Sequence, residues 1–122
     1  MSGGFFDYKQ YDLEYIADAI ETIIAKSGKT KMPEDMYSWE EEGSLYPTYS
    51  PKEIQKFQEA VVAIRIARVY AHRVDWLVSG DDGEESFFTR LEEDLKEVRD
   101  KYTQEYFDKL KKMSFEDYNN GQ

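Results

Sequence analysis

The feature that most constrains this chain is the segment that opens Ser50-Pro51-Lys52-Glu53 and runs without a breaker to Ser79. A serine hydroxyl at the N-cap accepts an orphan N–H of the first turn. Proline at the first helical position has no donor to lose, and the glutamate three residues after the cap reaches back to it. The apolar positions are then Ile54, Phe57, Ala60, Val61, Ala63, Ile64, Ala67, Tyr70, Ala71, Val74, Leu77 and Val78. Val62, Ile66 and Val69 widen this stripe past a half-cylinder. The pattern predicts a central helix over about 51–79, touched on most sides and stopped by Gly80.

The flanking segments read as helices around it. Leu13, Ile16, Ala17, Ile20, Ile23 and Ile24 recur at three- and four-residue steps and predict a helix over about 12–26, with Gly28 beyond it. Phe88, Leu91, Leu95, Val98, Tyr102, Tyr106, Leu110 and Met113 predict another over about 84–113. The short turn Ser79-Gly80-Asp81-Asp82-Gly83 makes these last two helices antiparallel neighbours, and Asp81 with Glu84, or Asp82 with Glu85, offers a capping box. The expected fold is an all-α, single-domain three-helix bundle with a long helix–helix hairpin. Residues 1–11 form an extended aromatic arm that packs its rings on the bundle, and residues 114–122 a fraying tail. Residues 29–50 are long for a structureless connection, so they hold either a short helix near 33–42 or a functional loop.

Charge and missing motifs narrow the function. Lys and Arg number 16 against 26 Asp and Glu, a net charge of −10. Phosphate contacts need a basic face, so direct nucleic-acid binding and adsorption on anionic membranes are disfavoured, while a basic protein partner is accommodated. The chain has no cysteine, which removes thiol nucleophiles and Cys-ligated zinc and fits a reducing cytosol. No apolar run approaches the roughly 18 residues of a membrane span, and the N-terminus lacks the basic region of a signal peptide. No phosphate-binding, dinucleotide, zinc-protease or nucleophile-elbow motif occurs. A non-enzyme with no cofactor and no metal is expected. For Asp81-Asp82-Gly83-Glu84-Glu85 helix capping explains the carboxylates more simply than a calcium site.

Two candidate surfaces stand out. Arg65, Arg68, His72, Asp75, Trp76 and Ser79 share one face of the central helix, with Arg73 beside them. That face is either a partner contact anchored by Arg and Trp, a small-anion or nucleotide pocket built on Arg65, Arg68 and His72, or an internal network in which arginines pair with carboxylates of other helices. The second surface is Glu34, Asp35, Tyr37, Trp39, Glu40, Glu41 and Glu42, which mixes acid with aromatic rings. Exposed, it docks on a basic protein groove; otherwise the rings tuck into the bundle and the acids face water.

Residues 1–11, Met1-Ser2-Gly3-Gly4-Phe5-Phe6-Asp7-Tyr8-Lys9-Gln10-Tyr11, and residues 73–87, which contain Asp75-Trp76-Leu77-Val78-Ser79-Gly80-Asp81-Asp82-Gly83-Glu84-Glu85-Ser86-Phe87, carry a resemblance. They resemble a group of short, uncharacterised bacterial proteins of phage or prophage type. The resemblance covers about a quarter of the chain and brings no functional residue with it. It implies a small phage accessory protein of the bacterial cytosol that binds a host protein, such as a defence or nucleic-acid-binding component. Self-association stays open.

Overall fold

A computed structural model describes residues 4–113. Within them the chain is all-α: α1 (Gln10–Lys26), α2 (Pro51–Val78), α3 (Glu84–Lys101) and α4 (Gln104–Lys112), with a single 3-10 turn at Pro33–Asp35. The expected tail over 114–122 and the first three residues of the arm lie outside the described residues.

The start of α2 forms as its residues dictate. Ser50 Oγ accepts the Glu53 N–H at 3.1 Å, and Glu53 Oε1 accepts the Ser50 N–H at 2.9 Å. Helices α1 and α3 both pack along α2, and α4 packs against α1. The main core is Ile24, Ala25, Ile54, Val61, Phe107 and Leu110, with Ile20, Tyr49, Phe57 and Tyr102 packed on it. Each fully buried branched or aromatic side chain contributes about 1.5–3 kcal/mol over its exposed state.

The third rod of the expected bundle is broken. Tyr102 leaves the helical region (φ −92°, ψ 65°), and the Thr103 hydroxyl then caps a new helix by accepting the Tyr106 N–H at 3.3 Å. The helix expected over 84–113 is therefore two helices. The bend turns α4 against α1 and brings Phe107 and Leu110 into the core. The start of α3 also differs from expectation. Gly83 is the N-cap, its N–H donating to Ser86 Oγ at 3.2 Å, and neither Asp81 nor Asp82 caps the helix.

The arm and the long connection are ordered by specific bonds. Residues 5–9 are a run of turns, not an extended arm, with Asp7 and Tyr8 both left-handed (φ 59° and 60°). Among its rings Phe6 is half-buried, whereas Phe5, Tyr8 and Tyr11 are exposed, so most of the expected packing onto the bundle is absent. Residues 29–50 form a pinned loop. Thr30 and Leu45 make an antiparallel bridge, Lys31 N–H donates to Ser44 O at 2.7 Å, and Tyr46 N–H donates to Lys29 O at 2.8 Å.

If α4 is part of the core and not an appendage, Phe107→Ala lowers stability by about 3–5 kcal/mol in urea unfolding, the cost of a large buried cavity. A loss below about 1 kcal/mol would show that α4 is peripheral.

Candidate functional site

The arginine face of α2 is turned largely inward. Arg65 is 9% exposed. Its Nη2 donates to Asp18 Oδ1 at 2.6 Å and to Glu21 Oε2 at 2.5 Å, and its Nη1 reaches the Glu14 carbonyl at 3.5 Å. The other oxygen of Glu21 accepts the Tyr106 hydroxyl of α4. The guanidinium carbon lies 5.2 Å from the Tyr102 ring centre. Burial works to lower the Arg65 pKa, but the bonds to Asp18 and Glu21 outweigh it and raise the pKa further above its ordinary value. Burial and the Glu21 bond both push the Tyr106 hydroxyl up. Three helices thus meet at one charge pair, beside a cleft of about 610 Å³ lined in part by Glu14, Asp18, Lys101, Tyr106 and Lys109. Through Nη2 the guanidinium at its base already serves two carboxylates, while its Nε is buried without a hydrogen-bond partner.

The rest of the face divides among different neighbours. Arg68 lies 3.6 Å from Glu14 and sits 5.5 Å over the Tyr11 ring. Arg73 turns to α3, with Nε 3.0 Å from Asp94 and Nη1 3.5 Å from Asp82, and covers the Trp76 ring at 5.6 Å. Asp82 is also held by Arg90 at 2.6 Å, so this carboxylate of the acidic turn is engaged by two arginines. His72 packs on Trp76 at 5.5 Å. Burial, then the charges of Arg68 and Arg73, lower its pKa, so it stays neutral at neutral pH.

Asp75 is the residue whose role sequence reasoning missed. It is 0% exposed, and its carboxylate accepts the Phe5 N–H at 2.7 Å, Gln10 Nε2 at 2.8 Å and the Ser79 hydroxyl at 3.3 Å. The Phe6 N–H adds a further bond. The left-handed pair Asp7-Tyr8 follows directly. Such backbone costs energy in non-glycine residues and persists only where neighbouring bonds over-determine it. The one hint in the sequence was the apolar setting of Asp75 beside Trp76 and Leu77.

The loop surface is the opposite case. Tyr37 and Trp39 stack nearly parallel (5°) at 4.6 Å, yet remain 59% and 76% exposed. The rings do not tuck into the bundle. Glu34, Glu41 and Glu42 are exposed beside them. Asp35 and Glu40 are instead structural: Asp35 accepts the Tyr46 hydroxyl at 2.5 Å and Lys26 Nζ at 3.0 Å, and Glu40 accepts Lys31 Nζ at 2.8 Å. Lys31 Nζ also lies 5.5 Å from the Tyr37 ring centre. No helix among the described residues is long and apolar enough to cross a membrane. No protein-family model, curated protein or solved structure matches this chain.

Burial acts to raise the Asp75 pKa, but the donors from Gln10, Phe5, Phe6 and Ser79 outweigh it and hold the carboxyl below its ordinary 3.8. A depressed folded value means that ionised Asp75 adds stability above pH 3.8, and that this is lost as pH falls through the folded value. The Phe5 amide resonance is therefore expected to lose its hydrogen-bond shift with a midpoint below pH 3.8, and Asp75→Asn is expected to abolish that titration. A midpoint at or above that value would contradict the arrangement.

Proposed function

We propose that this chain is a small, non-catalytic accessory protein that docks on a basic surface of a host protein through the Tyr37–Trp39 loop. The observation that carries this reading is the exposed ring stack, two large aromatic side chains held out of a core that has room for Tyr46, Tyr49 and Phe57. Tyr and Trp are the residues most enriched among interface anchors, because they bury large area with few rotatable bonds. The loop is also pre-shaped. The Lys31–Glu40 and Lys26–Asp35 pairs and the Tyr46 hydroxyl fix its backbone before any partner arrives, which lowers the entropy lost on binding.

Charge selects the kind of partner. Glu34, Glu41 and Glu42 are exposed in the same loop, and the chain carries a net charge of −10. Complementary charge speeds encounter with a basic surface and repels an acidic one. The resemblance to phage-type bacterial proteins supports a host protein as the target, one whose basic surface ordinarily faces nucleic acid. The rival reading, a nucleotide or small anion held by Arg65, Arg68 and His72, has less support. It requires Arg65 to release Asp18 and Glu21, and it sets an anion beside a neutral imidazole.

Affinity capture from bacterial lysate, compared between the parent chain and Tyr37→Ala/Trp39→Ala, tests the reading. A captured protein with a basic surface is expected to bind the double variant at least about 30-fold more weakly, the loss typical of one interface hot spot. Circular dichroism of the variant is expected to be unchanged. Equal capture by both proteins would overturn the loop as the docking site.

A further inference from the structure

Helix α1 is apolar on two opposite sides, and only one of them is used. Gln10, Ala17, Glu21, Ile24 and Ala25 face the bundle. The side turned away from it carries Tyr15, Ile16, Ala19 and Ile23, with Tyr15 75% exposed and both isoleucines more than two-fifths exposed. A helix of this length, about 25 Å, ordinarily gives its outer face to charged and polar residues. Charge appears on this stripe only at its two ends. Asp12 begins it, exposed and without an ion-pair or side-chain hydrogen-bond partner among the described residues. Lys26 ends it, bonded to Asp35 at 3.0 Å.

The stripe is self-complementary about its middle. Asp12 lies seven residues before Ala19 and Lys26 seven residues after it, each two turns or about 10.5 Å along the axis. Tyr15 and Ile23 lie four residues to either side. A two-fold axis through Ala19 therefore sets Asp12 of one copy opposite Lys26 of the other at both ends. It sets Tyr15 opposite Ile23, and the smallest side chain of the stripe at the crossing, where two helices approach most closely.

We infer that the outer face of α1 is the interface of an antiparallel homodimer, centred on Ala19, in which a second copy of this chain covers Tyr15, Ile16 and Ile23. Charge complementarity names the occupant. The unpaired Asp12 carboxylate of each copy finds a cation on its own counterpart, and Lys26 keeps Asp35 while gaining a second carboxylate. A parallel pairing would set Asp12 against Asp12 and lacks this match. The area is small beside the roughly 800 Å² per partner of a stable interface, and two copies of like net charge repel each other. The dimer is accordingly a concentration-dependent one. Because Lys26 ties the Tyr37–Trp39 loop to the C-terminal end of α1, antiparallel pairing carries the two loops at opposite ends of the helix pair. This inference stands independently of what those loops bind.

The test uses the full chain in sedimentation velocity over about 10 μM to 1 mM, the range expected of a small interface. The parent is expected to pass from monomer to dimer across that range. Ala19→Arg, which adds bulk and charge at the crossing but is a good helix former, is expected to remain monomeric with unchanged circular dichroism. Tyr37→Ala/Trp39→Ala is expected to dimerise like the parent. Register is read by oxidation, which the absence of native cysteine keeps clean. Ala19→Cys is expected to form a symmetric disulfide. Tyr15→Cys is expected not to, because the two copies of residue 15 lie about 12 Å apart along the axis, beyond disulfide reach. A parent that stays monomeric throughout, an Ala19→Arg protein that dimerises like the parent, or a Tyr15→Cys protein that cross-links as readily as Ala19→Cys would overturn the interface. The capture result on the loop would stand by itself.

Discussion

The contact between Arg65 and Glu21 organises the molecule. It places a guanidinium and a carboxylate in a nearly dry junction where α1, α2 and α4 converge, and Asp18 and the Tyr106 hydroxyl complete it. Burying two charges is unfavourable, and the cost is offset only when the geometry is good and the remaining donors and acceptors are satisfied. Here that requirement reaches outward. Tyr106 has to arrive from α4, and α4 arrives only because the chain bends at Tyr102 and is capped afresh by Thr103. The break between α3 and α4 and the polar junction are two aspects of one arrangement, in which Phe107 and Leu110 enter the core on the same turn of helix that brings Tyr106 to Glu21.

A second polar junction does the same for the N-terminal arm. Asp75 takes the backbone donors of Phe5 and Phe6 into the interior and thereby fixes a turn that leaves Phe5 and Tyr8 exposed. Phe5, Phe6 and Gln10 from the N-terminal stretch and Ser79 from the end of α2 meet at this carboxylate. Arg65, Arg73 and Asp75 all have internal partners, although the buried Nε atoms of Arg65, Arg68 and Arg73 and His72 Nδ1 make no hydrogen bond. The large exposed apolar groups lie elsewhere: the ring stack of the loop, and the outer side of α1 with its exposed Tyr15, Ile16 and Ile23. These exposed groups are the ones on which the proposed docking and pairing rest.

How much of this was legible in the sequence depended on whether the deciding interaction was local. The N-cap of α2 was legible because serine, proline and glutamate satisfy one another within four residues. The long periodic stripes were legible for the same reason, and they pointed to the all-α class. The break after Tyr102 was marked only by a lengthened apolar step and a threonine followed by polar residues, with no glycine or proline to announce it. In α1 the doubled apolar pairs Ile16-Ala17 and Ile23-Ile24 place apolar groups on both sides of the helix, and pattern alone cannot say which side meets the core. The arginine face was visible as a set of residues, but the meaning of Arg65 lay in partners 44 to 51 positions away in the chain. The exposure of Tyr37 and Trp39 likewise follows from the Thr30–Leu45 bridge and from Tyr46, long-range contacts that no composition signal encodes.

The arginine face of α2 holds the fold together, with Arg65 bonded to Asp18 and Glu21 and Arg73 to α3. Urea unfolding of Arg65→Met, alone and combined with Glu21→Leu, tests it most directly. The single substitution is expected to cost about 3–5 kcal/mol, because it strands a buried carboxylate, and the double substitution to recover most of that loss. An Arg65→Met protein as stable as its parent would show that this guanidinium is held for a ligand and not for the fold.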